Sequence, residues 1–91
     1  MLVQVTQEDI QKGCQGEGHT CPIANALARA TGSPWVWVGS GFSAIYSSQA
    51  DRDNWSFCEL AVKKWDVADT VAEIIRRYDD TGEMSPFEFE L

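Results

Sequence analysis

Three cysteines and the single histidine are the residues of this chain best suited to bond-making chemistry. Cys14, His19, Cys21 and Cys58 together could offer three thiolates and one imidazole, a permissible structural zinc set. Gly13, Gly16 and Gly18 give the loop around them the backbone freedom a chelating turn needs. Against this, no C-x2-C pair exists, and Cys58 follows Cys21 by 37 residues. A Cys14–Cys21 disulfide would close a short loop, but the odd third cysteine and a reducing compartment oppose it. Cys21 precedes Pro22 at an expected helix start, where a thiolate nucleophile is stabilised and His19 lies two residues away. No group is evident that would orient that histidine. The ordinary reading makes Cys21 and Cys58 small buried hydrophobes and His19 a loop residue. A zinc-binding or thiol-redox module is therefore the alternative reading, and no cofactor is expected.

Carboxylates are the other abundant reactive group. Fourteen acidic residues face seven basic ones, giving a net charge of -7. Residues 66–91 carry eight acids against only Arg76 and Arg77, so the excess sits in the C-terminal part. Asp79 and Asp80 fall at a helix end, and Glu88 and Glu90 project from a strand, with no sign of the cleft that acid–base catalysis needs. Asp51, Asp53 and Glu59 lack the alternating pattern of a calcium loop. Gly39-Ser40-Gly41 lacks the trailing glycine and lysine of a phosphate loop. A chain of this sign repels phosphate and anionic lipid, which disfavours direct contact with nucleic acid or membrane. It favours a partner with a basic surface. Asp79, Asp80, Glu83, Glu88 and Glu90 are the expected contact residues.

Trp35, Trp37, Trp55 and Phe57 raise the possibility of a base-stacking platform. Such platforms come with basic grooves, and only Arg52, Lys63 and Lys64 lie nearby, so core packing is the stronger expectation. Trp35 and Trp37 share a face opposite Val36 and Val38. That strand is either covered on both sides or shows a partly exposed tryptophan pair suited to an interface.

The elements that must position these residues follow from periodicity. Residues 2–6 read as a strand with Val3 and Val5 on one face. Thr6 and Asp9 read as a capping box opening a brief helix that Gly13 ends. Pro22 opens a second helix whose buried stripe is Ile23, Leu27 and Ala30, and whose outer face holds Asn25 and Arg29. Trp35–Val38 and Phe42–Tyr46 flank a glycine turn and predict a hairpin. Ser47–Asn54 reads as a polar turn and Trp55–Leu60 as a third strand, with a helical turn in the run to Val62 as the alternative. Asp66 is the expected N-cap of the last helix, with Asp69 at its third position. Val67, Val71, Ile74, Ile75 and Tyr78 form its inner stripe, and Gly82 its stop. Pro86–Leu91 alternates, with Phe87, Phe89 and Leu91 inward. The first strand is its natural neighbour.

The expected fold is a single α+β domain over residues 1–91, in the order β-α-α-β-β-β-α-β. Its helices are expected on one face of a mixed or antiparallel sheet with the terminal strands adjacent. No apolar run is long enough to span a bilayer, and residues 1–10 lack the features of a secretory leader, so the cytoplasm of a bacterial cell is the expected compartment.

Three segments resemble a pattern in small uncharacterised phage and prophage proteins: Val5-Thr6-Gln7-Glu8-Asp9-Ile10, Cys21-Pro22-Ile23-Ala24-Asn25-Ala26-Leu27 and Pro86-Phe87-Glu88-Phe89-Glu90-Leu91. The resemblance covers the two ends of the chain and leaves out the aromatic middle. It implies a phage accessory protein and carries no catalytic chemistry with it. Small acidic phage proteins include anti-CRISPR inhibitors that present nucleic-acid-like charge, an analogy of class. The function expected from the sequence is therefore a non-enzymatic inhibitor that binds a host protein. Its most specific form blocks the nucleic-acid-binding surface of a Cas complex subunit. A self-associating structural phage protein is a further alternative.

Overall fold

Val3 and Val5 alternate with Leu2 and Gln4, and this period of two makes β1 (Leu2–Val5) a strand with one buried face. In the computed structural model, which describes residues 1–56 and 58–91 and only the backbone of Cys58, β1 pairs with the last strand of the chain. Its partner runs antiparallel, with Val3 opposite Phe89 and Val5 opposite Phe87. The terminal strands are thus adjacent, as the alternation of 86–91 implies.

Thr6 ends β1 and caps α1 (Gln7–Lys12) through a complete capping box. The Asp9 N–H donates to Thr6 Oγ1 at 3.3 Å, and the Thr6 N–H donates to Asp9 Oδ2 at 2.9 Å. Cys21 caps α2 (Pro22–Thr31), its sulfur accepting the Ala24 N–H at 3.4 Å. Gly32 closes α2 with φ +72, a left-handed conformation that disfavours a side chain. Ile23, Ala24, Ala26 and Leu27 are buried, and the small alanines let α2 lie close to both β1 and the first strand of the hairpin. Ala30, expected in the buried stripe, is exposed, because the last turn of α2 emerges into solvent.

The hairpin forms as its sequence predicts, from β2 (Val36–Val38) and β3 (Phe42–Ile45). Next come α3 (Gln49–Asp53), a single 3-10 turn (Cys58–Leu60), β4 (Lys63–Asp66), α4 (Asp69–Thr81) and β5 (Phe87–Glu90). The observed order is β-α-α-β-β-α-β-α-β, which departs from the expected one by α3, inserted where a polar turn was expected. Ser48 makes that helix possible, since its hydroxyl accepts the Asp51 N–H at 3.1 Å.

Two assignments are corrected. Trp55 and Ser56 lie in a turn rather than a strand; Phe57, in the same expected strand, lies outside the described residues. The third strand is instead β4, antiparallel to β3 with Ser43 opposite Trp65. Its lysines hide this from a hydrophobicity pattern. Their ammonium groups stand over aromatic rings, Lys63 Nζ 5.3 Å from the Trp65 ring centre and Lys64 Nζ 5.4 Å from that of Phe42. Asp66 therefore belongs to β4, and Ala68 is the N-cap of α4, with no side-chain hydrogen bond. Gly82 ends α4 as expected, with φ +73.

The strands divide into an antiparallel ribbon, β1–β5, and an antiparallel three-stranded sheet in the order β2-β3-β4. One core joins them, built from Val3, Val5, Ile23, Leu27, Val36 and Val38 with Val71 and Ile75 of α4. The radius of gyration of 11.9 Å matches the ~12 Å of one close-packed domain of this length.

Candidate functional site

The loop between α1 and α2 is held by the end of α4. Gln15 Nε2 donates to the Asp79 carbonyl at 2.5 Å, and the Gly16 N–H donates to Asp79 Oδ1 at 3.3 Å. These bonds place Asp79 beside the cysteine loop. A small cavity of about 140 Å³ lies there, lined by Cys21, Trp37, Tyr78 and Asp79 among others. Cys21 is buried, and that burial outweighs the N–H groups around its sulfur and pushes the thiol pKa up. The sulfur acts as a helix cap and stays protonated, which gives no support to a nucleophilic role. Burial likewise raises the pKa of Tyr78. Cys14 is exposed, and His19 Nδ1 lies 4.0 Å from Glu17 Oε2. Among the described residues no three His, Cys, Asp or Glu side chains are placed to hold a metal ion, and the Cys58 side chain lies outside that set.

The outer face of the three-stranded sheet is aromatic and partly basic. Trp37 stacks on Trp55 with ring centres 4.2 Å apart and planes 11° from parallel. Phe42 lies 5.0 Å from Trp37 on the same side. Arg52, which ion-pairs with Asp53 at 3.0 Å, stands 5.5 Å from the Trp35 ring. Val36 and Val38 fill the core while Trp35 and Trp37 stay half-buried, so the tryptophan pair is partly exposed. Trp55 is 42% exposed, and an open depression beside it is lined by Gly18, His19, Trp37, Arg52 and Asp53. Of the four rings considered for stacking, Trp37 and Trp55 meet face to face, and Phe57 lies outside the described residues.

Two glycines make room for Trp37. A Cβ on Gly18 would fall 2.4 Å from Trp37 Nε1, and one on Gly39 would fall 2.4 Å from Cη2. Gly18→Ala is therefore expected to displace the indole and cost about 1–2 kcal/mol. A fall in the urea midpoint together with a changed near-ultraviolet circular dichroism signal would report it.

All five acids singled out from the sequence are exposed, but they do not share one face. Asp79 turns to the glycine loop, with Asp80 and Glu83 at the same end of α4. Glu88 and Glu90 lie on the outer face of the β1–β5 ribbon, opposite Gln4 and Leu2. Glu90 Oε2 also lies 3.2 Å from the Met1 amine. An ion pair on a buried carboxylate escapes the sequence pattern. Asp9, 5% exposed, accepts from Arg29 Nη1 and Nη2 at 2.6 and 2.8 Å. Arg29 was expected only on the outer face of α2.

No protein-family model, no curated protein and no solved structure matches this chain.

Proposed function

We propose that this chain acts by binding rather than by catalysis, using acidic surface to engage a protein whose basic residues ordinarily hold phosphate. The observation that carries the reading is the outer face of the ribbon. Glu88 and Glu90 project there side by side with Gln4 and Leu2, and neither strand contributes a lysine or arginine. The Met1 amine pairs with Glu90, while Glu88 forms no ion pair among the described residues. Beyond it, Asp69, Glu73, Asp80 and Glu83 form no ion pair among the described residues. A surface of 5199 Å² leaves ample room for a standard interface of about 800 Å² per partner.

The most specific form of this reading is a phage-type anti-CRISPR protein that occupies the nucleic-acid-binding surface of a Cas complex. The resemblance of the chain's two ends supports it, together with the sign of the charge. Expression in a panel of bacterial strains with active CRISPR interference tests it. Transformation by a targeted plasmid is expected to rise toward that of an untargeted plasmid in at least one strain. Unchanged interference in every strain, with the protein folded and abundant, would overturn this form.

Trp55 favours a second reading, self-association through the outer face of the three-stranded sheet. A ring 42% exposed and already stacked on one side is suited to an interface anchor. Sedimentation would then show a dimer that Trp55→Ser converts to monomer.

A further inference from the structure

Among the described residues, Ser43 Oγ is the buried side-chain polar atom that meets no hydrogen-bond partner. Ser43 is 4% exposed and sits on the core face of β3, between its cross-strand neighbours Val38 and Trp65. It lines a cavity of about 240 Å³, walled by Ile23, Leu27, Val71 and Phe89. A lone buried hydroxyl is destabilising, and alanine there would avoid the penalty.

A second, independent feature meets the same cavity. Val67, Ala68, Thr70 and Val71 line it, so the N-terminal turn of the 13-residue α4 opens onto it. Ala68 supplies no capping hydrogen bond, which leaves the first-turn N–H groups without a side-chain acceptor. The donors and the hydroxyl ask for an acceptor oxygen. The lining includes Asp66 and Glu90 and no lysine or arginine, and Asp69 opens the helix. A full negative charge is therefore disfavoured. For scale, an apolar cavity of about 150 Å³ accommodates benzene. This one has room for a ring with a short substituent.

We propose that this cavity binds a neutral, mainly apolar small molecule of about that size, whose single carbonyl-type oxygen accepts a hydrogen bond from Ser43 Oγ beside the start of α4.

Three probes of similar shape test it on the whole chain by NMR titration and thermal melts: acetophenone, isopropylbenzene and benzoate. Acetophenone is expected to shift the Leu27 and Val71 methyl resonances and raise the melting temperature. It should bind about fivefold more tightly than isopropylbenzene, the value of one hydrogen bond, and more tightly than benzoate. Ser43→Ala should melt higher without ligand and reduce acetophenone binding to the isopropylbenzene level. Val71→Phe should fill the space and abolish binding of all three. If that variant does not fold, the Ser43→Ala comparison decides alone. Absence of shifts at Leu27 and Val71, isopropylbenzene or benzoate binding as tightly as acetophenone, or a Ser43→Ala protein that keeps the preference would each overturn the proposal.

Discussion

Asp9→Ala is expected to lower the stability of the domain by about 3 kcal/mol. The carboxylate is buried and accepts four hydrogen bonds: two from Arg29, at 2.6 and 2.8 Å, and two from Thr6, whose N–H and Oγ1 lie at 2.9 and 3.1 Å. The substitution removes the α1 capping box and strands the Arg29 guanidinium, whose Nη2 also donates to the Gln4 carbonyl at 2.7 Å. It thereby loosens the junction of β1, α1 and α2. Arg29 is half-exposed, so the loss falls at the lower end of the range for broken buried pairs. Burial alone would raise the Asp9 pKa, but the Arg29 and Thr6 hydrogen bonds prevail and hold it below the usual carboxylate range. A folded pKa below the unfolded one adds stability that is present above about pH 4 and lost as pH falls through the folded value. Wild type should therefore lose more stability than Asp9→Asn between about pH 5 and pH 2. Urea midpoints across that range check the sign. Parallel curves for the two proteins would contradict this account of Asp9.

Ile75→Ala should cost about 2–4 kcal/mol, a large part of the stability of a small domain. Ile75 is 7% exposed and joins the core through the inner stripe of α4. Only part of the space it leaves can collapse, because the β-sheets and α2 hold the opposite walls. Chemical unfolding with an unchanged slope on denaturant would show a loss of packing without a change of fold. Stability within about 0.5 kcal/mol of wild type would contradict the placement of that stripe.

The inner stripe of α4 was legible in part: Val71, Ile75 and Tyr78 repeat with the helical period and are buried, while Ile74 is half-buried and Val67 precedes the helix. The ribbon was legible because Val3, Val5, Phe87 and Phe89 alternate with polar residues or an edge leucine. β4 was not, since Lys63 and Lys64 pack on rings rather than enter the core as apolar groups. That shift also displaced the cap of α4 from Asp66 to Ala68. The Asp9–Arg29 pair spans 20 residues and depends on how α2 crosses α1, which periodicity does not encode. Exposure of Glu88 and Glu90 follows from strand alternation. The attachment of Asp79 to the Gly16 loop is a tertiary contact across 63 residues with no local signature. Ser43 gave no warning, because its place on the core face follows from its register with Val38 and Trp65 across two strands, and Phe42–Tyr46 carries no apolar alternation that would mark it.

Displacement of labelled nucleic acid from a purified Cas complex whose interference the protein relieves tests the central claim most directly. The wild-type chain should compete, and less well as salt rises, because facing charges are screened over about 8 Å at physiological ionic strength. The double variant Glu88→Lys, Glu90→Lys should remain folded, since both side chains are exposed and point away from Phe87 and Phe89. It should associate more slowly and compete only at higher concentration, as expected when interface charges steer encounter. A folded double variant that displaces the nucleic acid as well as wild type, with the same salt dependence, would contradict the assignment of the ribbon as the binding face.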